Sequence, residues 1–262
     1  MGLSHWKEVS TAPVTQAGLS VLSSAGWYAA ACADVRRGIH ARGHVPVLVG
    51  GSGLYLRAAR HGLSAEPPRD EALRVRLRAE LAESGAAAMH ARLASLDPAG
   101  AGRLHPNDAQ RVVRALEVLE ASGHPLSWWH ERQPEVPDDE TWHVFQIVAP
   151  ANTLNRRIRE RAEWMFDSGL LEETRALLEG PHAEDLKALR AIGYDEAIGV
   201  IEDRLTVPQA RKLTSLHTRQ LAKRQRTWFR HQVGGTILDA SDNETGELLE
   251  AVVATLGSAA GA

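Results

Sequence analysis

The stretch that decides the fold class is VPVLVGGSGLYLRAA, residues 45–59. Its first five residues, 45–49, form a short apolar run of the kind found in buried parallel strands. A glycine-rich turn, residues 50–53, follows at once, and residues 54–59 have the composition of a helix. A strand, a glycine turn and a helix in this order make up the repeating unit of parallel sheets, so the stretch predicts an α/β fold.

Secondary structure elsewhere in the chain follows the same alternation. Apolar runs indicate two further strands, at residues 142–148 and 236–239. Around them the apolar residues recur at helical spacing, and glycines stand near the expected helix ends. The predicted helices cover residues 32–41, 154–166, 170–178, 185–201, 208–229 and 246–256.

One helical block divides the chain into two domains. Residues 70–122 are helical in pattern, with interruptions at Asp97-Pro98 and His105-Pro106, and prolines and glycines bound the block on both sides. It predicts a helical insertion subdomain of residues 67–140, inserted into an α/β core of residues 1–66 and 141–262.

The composition narrows the class of protein. The 262 residues are 44% hydrophobic and 24% charged, as in globular proteins, which excludes a disordered or fibrous chain. The single cysteine, Cys32, excludes an internal disulfide and a cysteine zinc cluster, and it favours a reducing, cytoplasmic location. No apolar run of about 18 residues is present, so the sequence predicts no membrane span. The net charge of −3 does not favour a globally basic nucleic-acid binder, so the placement of the charges matters more than their sum.

The glycine turn has two interpretations. Glycines after a parallel strand let the backbone approach a ligand closely, the N–H groups of the next helix attract anions, and Ser52 adds a hydroxyl. Tight turns are also rich in glycine for steric reasons alone. The turn by itself leaves both interpretations open. It is not a P-loop, because no G-x-x-x-x-G-K-[ST] motif occurs in the sequence.

The strongest local charge pattern lies at residues 205–232, which contain seven lysines and arginines and no aspartate or glutamate. Five of these cations fall on one stripe at helical spacing, whereas a solvated helix face normally intersperses acids. A one-sided basic helix in an acidic protein indicates contact with phosphates. We call these five residues the basic stripe: Lys212, Arg219, Lys223, Arg226 and Arg230.

A second pair of cations, Arg111 and Arg114, lies three residues apart near the start of a predicted helix. Asn107 is expected to cap this helix, with Gln110 at the capping-box position. Two arginines there oppose the helix dipole, which indicates an anionic partner, and pairing with Glu117 on a solvated face is the alternative.

No metal-binding pattern occurs among the histidines. His40 and His44 have the spacing of two ligands on one helix turn, but Gly43 ends the helix between them, and no H-E-x-x-H motif occurs. The sequence therefore predicts no metal site built from protein ligands.

Four segments, in order along the chain, resemble sequence blocks of the tRNA dimethylallyltransferases. The first is VLVGGSGLY at residues 47–55, which is similar to the Gly-Gly-Thr/Ser-Gly-Leu-Tyr turn of that family. The second is HPND at residues 105–108 with QRVVRALE at 110–117. The third is RAIGY at residues 190–194, and the fourth and most specific is TRQLAKRQRTWFR at 218–230.

The resemblance implies both a fold and a reaction. The fold is an α/β core of the P-loop NTPase-like type, with a parallel sheet and a helical insertion. The reaction transfers a dimethylallyl group from dimethylallyl diphosphate to N6 of adenosine 37 in tRNA, with Mg²⁺ on the diphosphate. The resemblance thus implies tRNA and dimethylallyl diphosphate as partners, and we expect a cytoplasmic monomer.

The family's pattern also assigns residues by position. Ser52, the catalytic candidate, and Arg74 would contact tRNA near the reacting adenosine. The helical block would add to the tRNA-binding surface Gln110, Arg111, Val112, Val113 and Arg114. The later blocks would add Arg190, Ala191, Ile192, Gly193, Tyr194 and Asp195, and then Arg219, Lys223, Arg224, Gln225, Arg226, Thr227, Trp228, Phe229 and Arg230.

One departure from the family's pattern concerns the start of the chain. In the family a P-loop cradles the diphosphate, and a following Asp-Ser segment supplies the Asp thought to act as a base. No counterpart of either is found ahead of the first matching block in this sequence. The expectation is an N-terminally truncated member that lacks the P-loop, with impaired prenyl transfer.

Two other functions stay open from the sequence. A non-catalytic tRNA-binding remnant would bind tRNA tightly without transferring a prenyl group. An adenine-nucleotide prenyltransferase would act on a free nucleotide, although so small an acceptor needs neither the long basic stripe nor the helical insertion. A nucleotide kinase is disfavoured because the sequence has no P-loop.

Overall fold

The structure is a computed structural model, which describes residues 24–63, 67, 70–131, 141–241 and 245–259. Over these residues the chain is a helix-rich α/β protein with one small sheet, and no described helix is long and apolar enough to cross a membrane. The elements in chain order are α1 (Ala25–Ala41), α2 (Gly53–His61), α3 (Glu71–Leu96), α4 (Pro98–Ala101), α5 (Ala109–Ser122), α6 (Leu126–Glu131), β1 (Phe145–Val148), α7 (Ala151–Asp167), α8 (Leu170–Glu179), α9 (Ala183–Leu189), α10 (Tyr194–Ile201), α11 (Val207–Gln232), β2 (Thr236–Asp239) and α12 (Thr245–Ala259).

Strands β1 and β2 run parallel and form the one sheet found in the described part of the chain. Ile147 lies opposite Leu238 in the register, so the predicted strand at 236–239 is confirmed and the one at 142–148 is confirmed over its last four residues. Gly235, just before β2, has a φ of 148°, and a Cβ there would lie 2.5 Å from the carbonyl oxygen of Val144. Glycine is therefore required where β2 starts beside β1.

The strand predicted at residues 45–49 is not formed, so that prediction is wrong. These residues have no regular secondary structure, and Val45, Val47 and Val49 are exposed, the last of them to 84%. Leu48 alone in this run packs against the buried cluster of Tyr28, Cys32 and Ala59. A strand exists only where a neighbouring strand pairs with its N–H and C=O groups, and an apolar run carries no information about that neighbour.

Helix α1 begins seven residues before the predicted start at residue 32. Ser24 is its N-cap, and the Ser24 hydroxyl accepts a hydrogen bond from the backbone N–H of Trp27 at 3.1 Å. One face of α1 packs Tyr28 and Cys32 against Ala59 of α2. This contact fixes the helix that follows the glycine turn.

A second core lies among α7, α8, α10 and α11. Phe166, Leu170, Ala197 and Ala210 are buried together there. The single helix predicted at 185–201 is instead two helices, α9 and α10, because the residues between them leave helical geometry. That junction belongs to the candidate site.

The chain divides into two compact units, counting in each only the described residues. One takes the residues up to Ala59 and those from Asp139 onward, and the other is Arg60–Asp138. In the second unit α3 and α5 bury Leu77, Leu93 and Leu116, among other apolar residues. Helices α3, α4 and α5 confirm the predicted helical block, with breaks at the two predicted interruptions.

Candidate nucleic-acid interface

The glycine turn packs directly against helix α11. Gln225 donates a hydrogen bond from Nε2 to the carbonyl oxygen of Gly51 at 2.9 Å. A Cβ on Gly53 would lie 2.2 Å from the ring of Trp228, and a Cβ on Gly51 would lie 2.4 Å from Gln225 Nε2. The rigid Trp228 ring thus requires glycine at position 53, whereas at position 51 the obstacle is the end of a flexible side chain, which can move. The contact at Gly53 supports the steric interpretation of the turn. Its interpretation as a ligand site stays a prediction.

Ser52 lies between these two glycines and is exposed. Its carbonyl oxygen accepts the first hydrogen bond of α2, from the backbone N–H of Leu56 at 3.0 Å, so Ser52 occupies the N-cap position. Within the described part of the chain the Ser52 hydroxyl has no hydrogen-bond partner. The anchored turn therefore presents this hydroxyl, together with the start of a helix, to a ligand.

The basic stripe lies along one side of α11. At 3.6 residues per turn its five cations fall within an arc of about 60°, and all five are exposed. Ala210, Thr214 and Trp228 occupy the opposite side, which packs against the rest of the unit. The predicted one-sided helix is confirmed, whereas its contact with phosphates stays a prediction.

The five cations of the stripe carry uncompensated charge. Among the described residues none of them pairs with a carboxylate. By contrast, Arg211 lies on a different side of α11 and forms an ion pair with Asp167 of α7. Arg204, just before α11, pairs with Glu202 at 2.6 Å between Nη2 and Oε2. Cations that lack an acid partner in the protein are those most available to phosphates.

The segment 190–195 forms the junction between α9 and α10. Arg190 has a left-handed φ of 48°, and Gly193, with a φ of 99°, is buried. A left-handed conformation is strained for a residue other than glycine and is found preferentially at functional sites. Arg190 is the exposed cation of the segment, whereas Ala191, Ile192, Tyr194 and Asp195 are half-buried.

Glu196 ties this junction to α11. The residue is 3% exposed, and its Oε2 accepts a hydrogen bond from the backbone N–H of Gly193 at 2.7 Å. Its Oε1 accepts a hydrogen bond from Nδ1 of His217, on α11, at 2.5 Å. One buried carboxylate thus holds the Arg190 junction against the helix that carries the basic stripe.

Tyr194 is held by a different acid. Its hydroxyl donates a hydrogen bond to Oε1 of Glu173, on α8, at 2.7 Å. This hydrogen bond, with a smaller contribution from burial, raises the pKa of Tyr194 to about 12. The Tyr194 hydroxyl is therefore neutral and occupied near neutral pH, which leaves it unsuited to act as a general base.

Segment 110–114 begins helix α5 in the second unit, where Asp108 and not Asn107 is the N-cap, so the predicted cap is wrong. Asp108 Oδ1 accepts a hydrogen bond from the backbone N–H of Arg111 at 3.3 Å. The negative charge of Asp108 offsets the unfavourable placement of two arginines near a helix start.

The side chains of this segment divide between core and surface. Val112 and Val113 are buried in the core, and Gln110 and Arg111 are exposed. Arg114 Nη1 pairs with Oε1 of Glu117 at 2.8 Å, so the pairing in the alternative interpretation is found, but Glu117 is buried and does not lie on a solvated face. Arg74, in the first turn of α3, is half-buried. A contact of these residues with tRNA stays a prediction, carried by the side chains that reach solvent.

Two structural residues of the site, Glu196 and His217, are not indicated by the sequence analysis. The signal for Glu196 is its position three residues after Gly193, where a side chain reaches back to the backbone N–H at the helix start. No pattern in the sequence signals His217, because its partner lies on another helix.

The described residues contain no cluster of three or more His, Cys, Asp or Glu side chains that could hold a metal ion. Protein-bound Mg²⁺ takes one or two carboxylates together with substrate phosphates. Mg²⁺ on the diphosphate therefore stays an expectation from the resemblance.

Comparison with known proteins gives the same family as the four sequence blocks. The model of the IPP transferase family matches residues 19–232. A tRNA dimethylallyltransferase of Geobacter sulfurreducens is 44% identical over 192 residues, which cover 73% of this chain and 62% of that protein. The full-length tRNA isopentenylpyrophosphate transferase of Bacillus halodurans superposes with a TM-score of 0.61 at 29% identity, covering 92% of this chain and 75% of the other.

A eukaryotic dimethylallyltransferase acting on tRNA has a similar fold, with a TM-score of 0.68 at 23% identity over 86% of this chain and 58% of the other. The chain belongs to the IPP transferase family, and the resemblance drawn from the sequence is confirmed. It spans less than two thirds of the length of the Geobacter relative.

Proposed function

We propose that this chain acts as a cytoplasmic, monomeric tRNA dimethylallyltransferase on a P-loop NTPase-like α/β core, and that its described residues bind the tRNA and orient the acceptor. One observation carries the proposal. The exposed hydroxyl of Ser52 lies on a turn that is anchored to α11, and the opposite side of α11 bears the basic stripe. Membership of the IPP transferase family and similarity to a tRNA dimethylallyltransferase support tRNA as the acceptor.

The proposed reaction forms one bond and breaks another. The N6 amine of adenosine 37 attacks C1 of the dimethylallyl group, and the C1–O bond to the diphosphate breaks with its electron pair leaving on oxygen. The proton lost from N6 goes to the departing diphosphate or to water. Because an exocyclic amine is a poor nucleophile, a hydrogen-bond acceptor placed at N6 favours attack.

Ser52 would supply that acceptor. Its hydroxyl oxygen accepts a hydrogen bond from N6 and orients the amine, and the contacts of Gly51 and Gly53 with α11 keep the turn in place. Precise orientation of a reacting group is a large part of catalysis, so loss of this hydroxyl affects turnover more than binding.

The basic stripe would hold the tRNA while Ser52 acts on one nucleotide. Phosphate contacts fix the position and register of a nucleic acid but do not select a base. In the proposed division of roles, Lys223, Arg226 and Arg230 bind the backbone along the exposed side of α11, and Arg190 adds a cation at the junction that Glu196 fixes.

The proposal is tested by prenyl transfer from labelled dimethylallyl diphosphate to a tRNA with adenosine at position 37, with adenosine monophosphate as a second acceptor. Ser52→Ala should lower kcat by about 10²-fold, with little change in the Kd for tRNA. Ser52→Thr keeps the hydroxyl and should retain activity, and Ser168→Ala, at another exposed serine, is the matched control.

Two outcomes would overturn the proposal. Stripe-dependent tRNA binding by the unsubstituted chain with no transfer would favour the non-catalytic remnant. Efficient prenylation of adenosine monophosphate would favour the adenine-nucleotide enzyme.

A further inference from the structure

We propose that a shallow groove beside the basic stripe binds one unpaired nucleotide of the RNA, an inference that rests on the proposed contact of α11 with tRNA. The groove has a volume of about 350 Å³ and lies along the first half of α11, next to the turn from α10. It is lined by Leu205, Gln209, Lys212, Leu213, Leu216 and Arg219.

The floor of the groove is apolar and held in place by local contacts. Leu205, in the turn before α11, donates its backbone N–H to the carbonyl oxygen of Gly199 at 3.0 Å. A Cβ on Gly199 would lie 2.8 Å from Leu205 Cδ1, so the two residues are in close contact. Gln209 and Thr206 form a capping box at the start of α11. The groove therefore exists before a ligand arrives.

The charges of the groove come from two members of the stripe. Lys212 and Arg219 are exposed and have no carboxylate partner among the described residues. They are seven residues apart on one helix, which places them about 10 Å apart along its axis. Leu213 and Leu216 lie between them in the sequence, so an apolar surface is flanked by a cation at each end.

This arrangement matches the chemistry of a nucleotide within a strand. A nucleobase is a flat group that packs on apolar side chains, and the phosphates on its two sides are anions. A base within a duplex is stacked and paired, so the nucleotide that enters the groove must be unpaired, as in a loop. The groove thus adds to the phosphate-binding stripe a means of distinguishing an RNA loop from an RNA stem.

Helix α11 offers a matched pair of leucines for the test. Leu216 lines the groove and is 39% exposed, and Leu221 does not line it and is 38% exposed. Each would be changed to alanine in the full chain. The two probes are an anticodon stem-loop RNA and a blunt duplex made from its stem, each bound at several salt concentrations.

Leu216→Ala should weaken binding of the stem-loop by about five- to tenfold, from the loss of apolar contact, without changing the salt slope. Leu221→Ala should change the affinity for the stem-loop by less than twofold, and neither substitution should change the affinity for the duplex. Lys212→Ala should lower the salt slope instead. As a second readout, 2-aminopurine in the loop should change its fluorescence on binding to the unsubstituted chain and not to Leu216→Ala.

The groove proposal would be wrong if Leu216→Ala and Leu221→Ala weakened binding of the stem-loop equally. It would also be wrong if Leu216→Ala weakened binding of the stem-loop and of the duplex equally. If stem-loop binding does not depend on Arg226 and Arg230, the proposed function fails, and the groove inference fails with it. If stem-loop binding depends on Arg226 and Arg230 but is unchanged by Leu216→Ala, only the groove proposal fails.

Discussion

Glu196 is a buried carboxylate on which two separate segments of the chain depend. Its two oxygens accept hydrogen bonds from the Gly193 backbone and from His217 of α11. A buried polar group that loses its partner costs more free energy than an average hydrogen bond contributes, so the three groups are interdependent. Glu196 is therefore the residue that fixes the Arg190 junction.

Glu196→Ala should lower the free energy of unfolding by about 1–3 kcal/mol, because the Gly193 N–H and the His217 ring lose their acceptor. Glu196→Gln keeps an acceptor for the Gly193 N–H and should cost less. The measurement is urea unfolding of the purified chain.

The matched control is Glu184→Ala, which removes a highly exposed carboxylate in a surface pair with Lys187. It should change the free energy of unfolding by no more than about 0.5 kcal/mol. Equal effects of Glu184→Ala and Glu196→Ala would show that the Glu196 contacts contribute nothing.

Helix α11 has a role on each of its sides. The buried side brings Gln225 and Trp228 against the glycine turn, and the exposed side presents the basic stripe. The family blocks at residues 47–55 and 218–230, which lie far apart in the sequence, therefore meet at α11.

Gly53→Ala should destabilise the protein by about 1–3 kcal/mol, because the added methyl overlaps the Trp228 ring. Gly234→Ala is the matched control, since a Cβ there would meet nothing within 4 Å. The measurement is thermal unfolding together with near-ultraviolet circular dichroism, which reports on the packing of tryptophan.

In a Trp228→Ala background the cost of Gly53→Ala should shrink, because the ring that causes the overlap is gone. A cost that is unchanged in that background would contradict the packing of the turn against α11.

The sequence predicts helices here better than strands, for a physical reason. Helical spacing and caps are local, so α5, α7, α8 and α11 are found close to their predicted bounds. The apolar run at 45–49 has the composition of a strand, but pairing depends on residues distant in the chain. The basic stripe was predictable because it lies on one helix, whereas the Glu196–His217 contact joins two helices and was not.

For the whole molecule, the net charge of −3 conceals an uneven distribution. The five cations of the stripe are exposed on one side of α11, whereas Arg175, Arg204 and Arg211 pair with acids. In the proposed function, the stripe binds tRNA phosphates and thereby holds the tRNA so that one nucleotide reaches the turn that carries Ser52.

The most direct test of that claim is the slope of log K against log salt concentration for tRNA binding. The double variant Arg226→Ala, Arg230→Ala should lower the magnitude of the slope by up to about two, since each lost phosphate contact releases about one fewer counterion. The control Arg37→Ala, Arg175→Ala removes the same charge from arginines on α1 and α8 that pair with Asp34 and Glu172, and it should leave the slope as it is. An unchanged slope in the stripe variant, or an equal fall in both variants, would contradict the account.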